Sequence, residues 1–329
     1  HRYKLHQNYS HQLIPPIQST LEIWDPHFHI WDISRNTKSG HDASQLFEPN
    51  NEPIYSWREY EHDIIRAGPS FSYIGGAFVE VVSVCHTQMS GTPFSEACIA
   101  ETSWVSSQLD QSQRQYVMVS SAPLESPEIV NILSKLAEYS KVRGIRQIIN
   151  YDPSWPRNER LGNLLDNPNW KDGFSKLQDF SLSFDLQLNP HQYKKAANLI
   201  KKFSETILII DHLGTPRLED LLDRSEQYWD GMATLASCEN VFIKISMLCY
   251  IHKDWSNNNV VKDTVYRIIE TFGIDRCFFA SNFPVDKRDG WPAERLYSAF
   301  LKLVDKKYSS SDIKKLFSEN AKHAYRSIQ

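Results

Sequence analysis

The sequence predicts an α/β protein built as one (β/α)8 barrel, with a long loop after the first strand. Short β-rich segments alternate with amphipathic segments along the chain, which is typical of parallel βα units. Eight such strands can be found, and eight is the number that closes a barrel filled by its own side chains. The chain has 329 residues, which is enough for a barrel of about 250 residues with insertions.

The predicted strands are short runs rich in β-branched, aromatic and other apolar residues. They cover residues 22–30, 73–82, 116–122, 142–149, 182–188, 207–212, 241–247 and 277–282. The sixth segment, ILIIDH, is too apolar for a surface strand and suits a parallel strand buried on both faces. Alternation along it predicts that Leu208, Ile210 and His212 share one face.

Amphipathic segments between the strands predict the helices. They cover residues 56–67, 93–111, 126–139, 160–180, 190–203, 218–237, 260–272, 292–304 and 310–327. Pro93 and Pro127 suit the first turn of a helix, where the missing N–H costs nothing. Pro168 should interrupt the segment 160–180, because proline removes an internal hydrogen bond.

The barrel is expected to span residues 21–329 as a single domain. Residues 1–20 form a separate N-terminal extension, which is polar and lacks the apolar stretch of a secretory signal. Residues 32–55 form the longest irregular insertion. In a barrel this loop emerges at the catalytic rim, so we expect it to cover the substrate.

Composition narrows the possible partners. The net charge is −4, and no block of Lys or Arg stands out, which disfavours nucleic acid. No apolar run approaches the roughly 18 residues of a membrane helix. Five scattered cysteines without a CxxC pair predict buried thiols in a cytoplasmic protein. We expect a small-molecule substrate, and a homodimer stays open.

The most informative motif is WDPHFH, residues 24–29. Side chains alternate along a strand, so His27 and His29 point the same way. At the carboxyl end of a barrel strand, two imidazoles can share a metal ion or hold a polar substrate. His212 would join them from across the barrel. Packing or loop-bracing roles are the alternatives for these histidines.

Four segments resemble the amidohydrolase superfamily. Residues 25–29 (DPHFH) resemble its DxHxH opening, and residues 211–214 (DHLG) resemble the end of its sixth strand. Residues 182–192 and 279–286 (FASNFPVD) resemble its fifth and eighth strands. The resemblance covers residues 21–324 and is nearest to the sugar-lactonase-like group of the amidohydrolase-2 branch. It implies a TIM-barrel hydrolase, metal-dependent in many members.

The eighth strand departs from that pattern. Related hydrolases usually carry an Asp where this chain has Asn282, and an amide cannot serve as a base near neutral pH. Asp286 lies four residues later and could reach back as the general base. Its alternative is a carboxylate that braces the loop.

Other polar residues are expected to face the barrel interior. Glu80 lies within an apolar run and needs a partner or a task. Arg143 and Arg146 are three residues apart, so only one should enter the barrel, and Arg146 matches the position in the family. Arg146 could bind a substrate carboxylate or pair with Glu80, and both can hold.

Three more residues complete the candidate set. Gln187 on the fifth strand could hydrogen-bond the hydroxyls of a sugar. His191 follows in the loop as a possible base or substrate contact. Lys244 shares a strand face with Phe242 and Ser246 and could hold an anion or form a structural ion pair.

The function expected from these features is the hydrolysis of a small lactone, derived from a sugar or carrying a carboxylate. In this hypothesis His27, His29 and His212 surround the carbonyl and are the ligands of any metal ion. One divalent ion, zinc or manganese, would polarise the carbonyl; without metal the imidazoles and Arg146 would stabilise the oxyanion. Asp286 or His191 would accept the proton from water. Three tryptophans could stack on a sugar ring: Trp31, Trp57 and Trp155.

Two alternatives remain at this point. A metal-dependent, non-oxidative decarboxylase of an aromatic or unsaturated acid would use the same histidines. A barrel that binds a small molecule without turnover is the other alternative, and Asn282 supports it best.

Overall fold

The computed structural model describes residues 20–32, 53–85, 89–153 and 161–327. An eight-stranded parallel sheet, in the order β1-β4-β5-β6-β7-β8-β9-β10, forms the centre of the fold. Its strands are β1 (Leu21–Phe28), β4 (Phe71–Val79), β5 (Gln115–Ser121), β6 (Val142–Arg146), β7 (Ser183–Leu186), β8 (Leu208–Ile210), β9 (Val241–Ile245) and β10 (Cys277–Phe279). Two short strands, β2 (Trp31–Asp32) and β3 (Ile54–Tyr55), form an antiparallel pair beside it.

The sheet closes between its first and last strands. The amide of Asn282 donates to the carbonyl of His27 at 2.9 Å, and the amide of His29 donates to the carbonyl of Phe283 at 2.8 Å. These bonds lie beyond the carboxyl end of β10, where Phe28 and Phe283 form a parallel bridge. The predicted (β/α)8 barrel is therefore confirmed.

Helices connect the strands, as predicted. The α-helices are Trp57–Ile64, Val82–Cys85, Gly91–Leu109, Ile129–Ala137, Pro168–Ser175, Tyr193–Ile200, Leu218–Leu222, Ser225–Ala236, Leu248–Ile251, Asn259–Phe272, Val285–Arg288, Ala293–Val304, Ser310–Lys314 and Asn320–Ala324. The last two are joined by a π-helical turn, Lys315–Glu319. The prediction of one helix over residues 218–237 is wrong, because the chain breaks between Leu222 and Ser225.

Helix starts follow local chemistry. Ser56 forms a capping box with Glu59 at the start of Trp57–Ile64. Pro168 begins a helix rather than continuing one, and Asn167 caps it by accepting hydrogen bonds from two following amides. Asn258 caps Asn259–Phe272 in the same way. The break expected at Pro168 is thus confirmed.

Two apolar layers surround the strands. The outer layer fills the space between strands and helices. The inner layer fills the barrel and consists of Trp24, Ala77, Val79, Val117, Val119, Ile209, Phe242 and Phe278, with Ala321, Ala324 and Tyr325 from the C-terminal segment. The C-terminal segment therefore seals the amino-terminal end of the barrel, and the carboxyl end is left for polar residues.

All five cysteines are buried as thiols, as expected. Burial raises the pKa of Cys277 above its ordinary value. Within the described residues, no helix combines the length and apolarity that crossing a membrane requires.

Candidate active site

Strand β1 delivers two imidazoles to the barrel interior. Phe28, between them, turns outward and stacks on Tyr60, with 3.9 Å between ring centroids. Because side chains alternate along a strand, His27 and His29 both point inward. Their ring centroids lie 4.9 Å apart, and both side chains are buried.

His212 also lies beside these two imidazoles, but strand alternation does not place it there as we predicted. Leu208 and Ile210 belong to the outer apolar layer, whereas Ile209 lies inside the barrel. The prediction that Leu208 and Ile210 share a face with His212 is therefore wrong. The chain leaves the extended conformation at His212, whose φ is +57°, so strand alternation no longer applies there. The ring of His212 lies 4.4 Å from that of His27, which completes a cluster of three imidazoles.

Lys244 on β9 forms a buried ionic cluster beside the imidazoles. Its Nζ lies 2.6 Å from Oδ2 of Asp185 and 3.1 Å from Oδ1 of Asp211. It also donates to Nδ1 of His27 at 2.9 Å. The hydroxyl of Tyr325, from the C-terminal segment, donates to Oδ1 of Asp185 at 2.7 Å. Of the two alternatives for Lys244, these contacts correspond to structural pairing.

Arg146 on β6, like Lys244, forms ion pairs and hydrogen bonds inside the barrel. Its Nε lies 2.9 Å from Oε1 of Glu80, and its Nη2 donates to the carbonyl of Glu80 at 2.8 Å. Its Nη1 contacts Oε1 of Gln187 at 3.1 Å and Oδ2 of Asp211 at 3.4 Å. As predicted, Arg146 enters the barrel, whereas Arg143 stays at the periphery and its carbonyl accepts from Arg326. The ion pair with Glu80 leaves Arg146 few donors for a substrate carboxylate.

Burial keeps the three imidazoles neutral. Burial, and then the charge of Lys244, lowers the pKa of His27 well below its ordinary value. Burial lowers the pKa of His29 to about 3. Burial, and then the neighbouring His27, also lowers the pKa of His212 well below its usual range. Neutral imidazoles have one donor and one acceptor nitrogen each, so the position of the proton decides what each can do.

Neighbouring groups set those proton positions. Lys244 donates to Nδ1 of His27, so the proton of this neutral ring is on Nε2, a buried atom without a partner among the described residues. The Nδ1 of His29 lies 2.6 Å from the carbonyl of Val79, so this nitrogen carries the proton. The Nδ1 of His212 lies 2.8 Å from Oγ of Ser246, which can donate or accept. His27 thus presents an N–H to the cluster, and the lone pair of His29 is on its Nε2.

Asn282 and Asp286 lie next to the cluster rather than within it. The amide of Asn282 donates to Oδ1 of Asp286 at 2.9 Å, and Asn282 also hydrogen-bonds His29. Burial raises the pKa of Asp286 to about 8. Asn282 therefore separates Asp286 from the imidazoles, and Asp286 is protonated at neutral pH. This geometry argues against Asp286 as the general base and agrees with its loop-bracing alternative.

His191 does not join the cluster. Its side chain is exposed, and its Nε2 lies 2.9 Å from the carbonyl of Tyr151. Pro190 begins a 3-10 turn, and His191 lines a pocket together with Glu226 and Asp230 of a neighbouring helix. The prediction that His191 is a base or a substrate contact therefore has no support in these contacts.

Only some of the remaining residues that we predicted to contact or cover the substrate lie in the described part of the chain. Trp31 is buried and packs against Tyr55, and Trp57 is half-buried beneath Arg58. Trp155 lies outside the described residues. So does most of the predicted substrate-covering loop, residues 32–55, and almost all of the N-terminal extension.

The described residues include one group of donors that could hold a metal ion: His27, Asp211 and His212, with ligand atoms within 4.8 Å of one another. His29, which we predicted as a ligand, is not in this group; its Nδ1 bonds the carbonyl of Val79, so only its Nε2 could serve as a ligand. Two imidazoles and a carboxylate suit zinc chemically. The ammonium of Lys244, however, already donates to Nδ1 of His27 and lies 3.1 Å from Oδ1 of Asp211. In this arrangement the ammonium competes with a metal ion for the donors of His27 and Asp211.

Comparison with known proteins places this site in a family. The sequence profile of an amidohydrolase family, Amidohydro_2, matches residues 24–327. The chain belongs to this amidohydrolase family. The match includes all three imidazoles and the ionic cluster around Lys244, and members of the family are enzymes.

Two relatives are similar to this chain over most or much of its length. An uncharacterised protein of Sinorhizobium fredii is 30% identical over 312 residues, which cover 94% of this chain and 99% of that protein. An L-fucono-1,5-lactonase of Burkholderia ambifaria is 24% identical over 209 residues, which cover 62% of this chain and 68% of that protein.

Solved structures share the fold. An amidohydrolase from Burkholderia multivorans with bound zinc has a TM-score of 0.70 at 16% identity and covers 94% of this chain and 99% of its own. A Pseudomonas putida protein provisionally named 2-pyrone-4,6-dicarboxylic acid hydrolase has a TM-score of 0.69 at 15% identity, covering 94% and 100%. A 2,6-dihydroxybenzoate decarboxylase from Rhizobium has a TM-score of 0.61 at 12% identity, covering 94% and 99%.

Sequence reasoning missed four residues of the site. Asp185, Asp211, Ser246 and Tyr325 each bond a charged or imidazole group of the cluster. Asp185 could have been found, because alternation places it on the same strand face as Gln187. Nothing in the local sequence around Tyr325 indicated that its hydroxyl enters the barrel.

Proposed function

We propose that this amidohydrolase-family chain opens a sugar-derived lactone by adding water to its carbonyl. The observation that carries this proposal is the buried Nε2–H of His27, which has no partner among the described residues and lies within the imidazole cluster. A donor of this kind, fixed in a site from which water is excluded, is suited to an oxyanion that forms on a carbonyl oxygen.

The charge of the cluster favours a neutral lactone over one that carries carboxylates. Arg146 and Lys244 supply two positive charges, and Glu80 and Asp211 supply two negative charges. Asp185 adds a third negative charge when it is ionised. Burial, and then the neighbouring Asp211, raises its pKa to about 8. A site with a net charge of zero or −1 offers no attraction to an anionic substrate, whereas the half-buried amide of Gln187 can bind a hydroxyl.

The chemistry can be assigned to two imidazoles. The Nε2–H of His27 donates to the carbonyl oxygen of the lactone. His212, whose Nδ1 contacts Ser246, accepts a proton from the attacking water on its Nε2. The resulting tetrahedral oxyanion collapses, the ring C–O bond breaks, and His212 returns its proton to the departing alkoxide oxygen. The product is an open-chain hydroxy acid, and the enzyme is regenerated.

The proposal predicts the effect of one substitution. His27→Ala should lower kcat for a hydrolysed sugar lactone by about 100- to 1000-fold, the usual loss for one oxyanion donor. The measurement is the rate of acid release over a panel of aldonic and deoxy-sugar lactones. The matched control is His62→Ala, because the side chain of His62 is 60% exposed and lies on a surface helix. Equal rates for wild type and His27→Ala on every active lactone would refute the assignment.

Decarboxylation of an aromatic acid is a second candidate, favoured by one observation. His27, Asp211 and His212 form the donor group that metal-dependent chemistry would need, and a decarboxylase shares the fold. The distinguishing assay supplies a dihydroxybenzoate with added zinc or manganese and measures carbon dioxide. Activity there, with none on lactones, would replace the first proposal. Turnover in neither panel, together with tight binding of a lactone, would support the third alternative, a binding protein.

A further inference from the structure

We propose that Lys244 is a built-in cation that occupies the position a metal ion would take between His27 and Asp211. This inference goes beyond the lactone chemistry, because it concerns how the site is charged rather than which substrate it opens. It is compatible with lactone hydrolysis, whereas decarboxylation that depends on zinc or manganese at His27, Asp211 and His212 would contradict it.

The position of the ammonium is the first argument. Nδ1 of His27 and Oδ1 of Asp211 lie 3.7 Å apart, so a cation bound to both must lie between them. The Nζ of Lys244 is there, 2.9 Å from the imidazole nitrogen and 3.1 Å from the carboxylate oxygen. The ammonium also donates to Asp185 at 2.6 Å, so it hydrogen-bonds two acceptors and lies at ion-pair distance from Oδ1 of Asp211.

The proton on His27 is the second argument. A ring nitrogen binds metal through a lone pair, and Nδ1 of His27 uses its lone pair to accept from Lys244. The other nitrogen, Nε2, then carries the proton of the neutral ring. A metal ion at Nε2 would have to remove that proton and create an anionic imidazolate. The bond from Lys244 therefore blocks both nitrogens of His27 toward a metal ion.

Electrostatics is the third argument. The side chains of Lys244, Asp185 and Asp211 are all completely buried. Two like charges repel most strongly where the surrounding dielectric constant is low. A divalent ion next to a fixed ammonium would meet that repulsion and would find Asp211 already neutralised. Lys244 thus supplies the positive charge that zinc would otherwise supply.

The test measures zinc content after removal of Lys244. Wild type, Lys244→Met and Lys287→Met are each incubated with zinc chloride, desalted and analysed for metal. Lys287 is the matched control, because it makes the same kind of ion pair, with Asp63, at the protein surface. Lys244→Met should bind one zinc per chain, about 10- to 100-fold more tightly than wild type. Lys287→Met should behave as wild type, and adding His27→Ala to Lys244→Met should abolish the gain.

A second measurement uses wild-type protein, so it does not depend on a variant that folds. Nitrogen-15 NMR of histidine-labelled protein identifies which ring nitrogen of His27 carries the proton. A proton on Nε2 and no change of the His27 signals with added zinc support the proposal. Stoichiometric tight zinc in wild type, or a proton on Nδ1 of His27, would overturn it.

Discussion

Each imidazole of the cluster is held in its neutral form before any substrate arrives, and this has a measurable cost for folding. In the unfolded chain a histidine binds a proton below about pH 6.5. In the folded chain burial lowers the pKa of His29 to about 3. Between these values the unfolded state binds more protons than the folded state, so the free energy of unfolding falls as the pH falls.

The substitution His29→Gln tests this. Glutamine can keep a hydrogen bond to the carbonyl of Val79 but cannot titrate. The wild type should lose about 1 kcal/mol more stability than the variant for each pH unit below pH 6. Urea unfolding at pH 6 and pH 5 gives both slopes. Identical slopes would mean that His29 is protonated in the folded protein.

Asp286 makes the free energy of unfolding depend on pH in the opposite direction. Burial raises its pKa to about 8, so between about pH 4 and pH 8 the folded state keeps a proton that the unfolded state has lost. Stability is therefore full at low pH and falls as the pH rises through this window. Asp286→Asn should be as stable as wild type near pH 4 and about 5 kcal/mol more stable near pH 8, because the window spans about four pH units. A variant that is less stable than wild type at pH 8 would indicate an ionised Asp286.

At this scale the sequence predicted which residue types meet, but not how they bond. His27, His29, Arg146 and Glu80 could be found because strand alternation places them inward. Proton positions could not be predicted, because they depend on Lys244 and the carbonyl of Val79, which come from other strands. The role of Asp286 also depended on distance, which spacing along the chain does not give.

At the scale of elements, the close approach of β1 and β4 sets the position of the histidines. A Cβ added at Gly76 would lie 2.1 Å from the carbonyl oxygen of Asp25 on β1. No side chain can move to relieve this contact, because the atom belongs to the backbone. A glycine at this position therefore lets β1 pair with its neighbour two residues before His27.

Gly76→Ala should accordingly lower stability by about 3 kcal/mol and reduce activity by displacing β1. The control is Gly91→Ala, where φ is +62° but no atom lies within 4 Å, so only about 1 kcal/mol of backbone strain is expected. Chemical denaturation of both variants measures the difference. Equal losses would show that β1 can shift without strain.

The strands themselves were predictable, because their apolar runs are distinct from the amphipathic helices. Which residues of β8 face the barrel interior could not be predicted. The chain turns at His212 with a positive φ, and non-glycine residues adopt this conformation only where the surrounding structure imposes it. The break between Leu222 and Ser225 likewise lacks a proline or glycine that would have indicated it.

At the scale of the whole molecule, the C-terminal segment links the fold to the site. Tyr325 packs against Trp24 in the barrel interior, its ring lies 5.3 Å from Nζ of Lys244, and its hydroxyl bonds Asp185. The seal at one end of the barrel thus supports the ionic cluster that lies beside the imidazoles at the other.

Tyr325→Phe should lower stability by about 2 kcal/mol, because it leaves a buried carboxylate oxygen without a donor. Tyr297→Phe is the control, since the hydroxyl of Tyr297 is buried without a partner among the described residues and its removal should cost nothing. Thermal unfolding of wild type and the two variants measures these differences in stability. A Tyr325→Phe variant as stable as wild type would show that Asp185 does not need this hydroxyl.

The position of Tyr325 has a consequence for how the protein is made. Every barrel strand leaves the ribosome before this residue does, and translation proceeds at about 5 to 20 residues per second. For a few seconds after β10 is made, Asp185 therefore lacks the hydroxyl donor that Tyr325 supplies in the folded protein. The base of the barrel is closed only after this C-terminal segment has been made and has folded in.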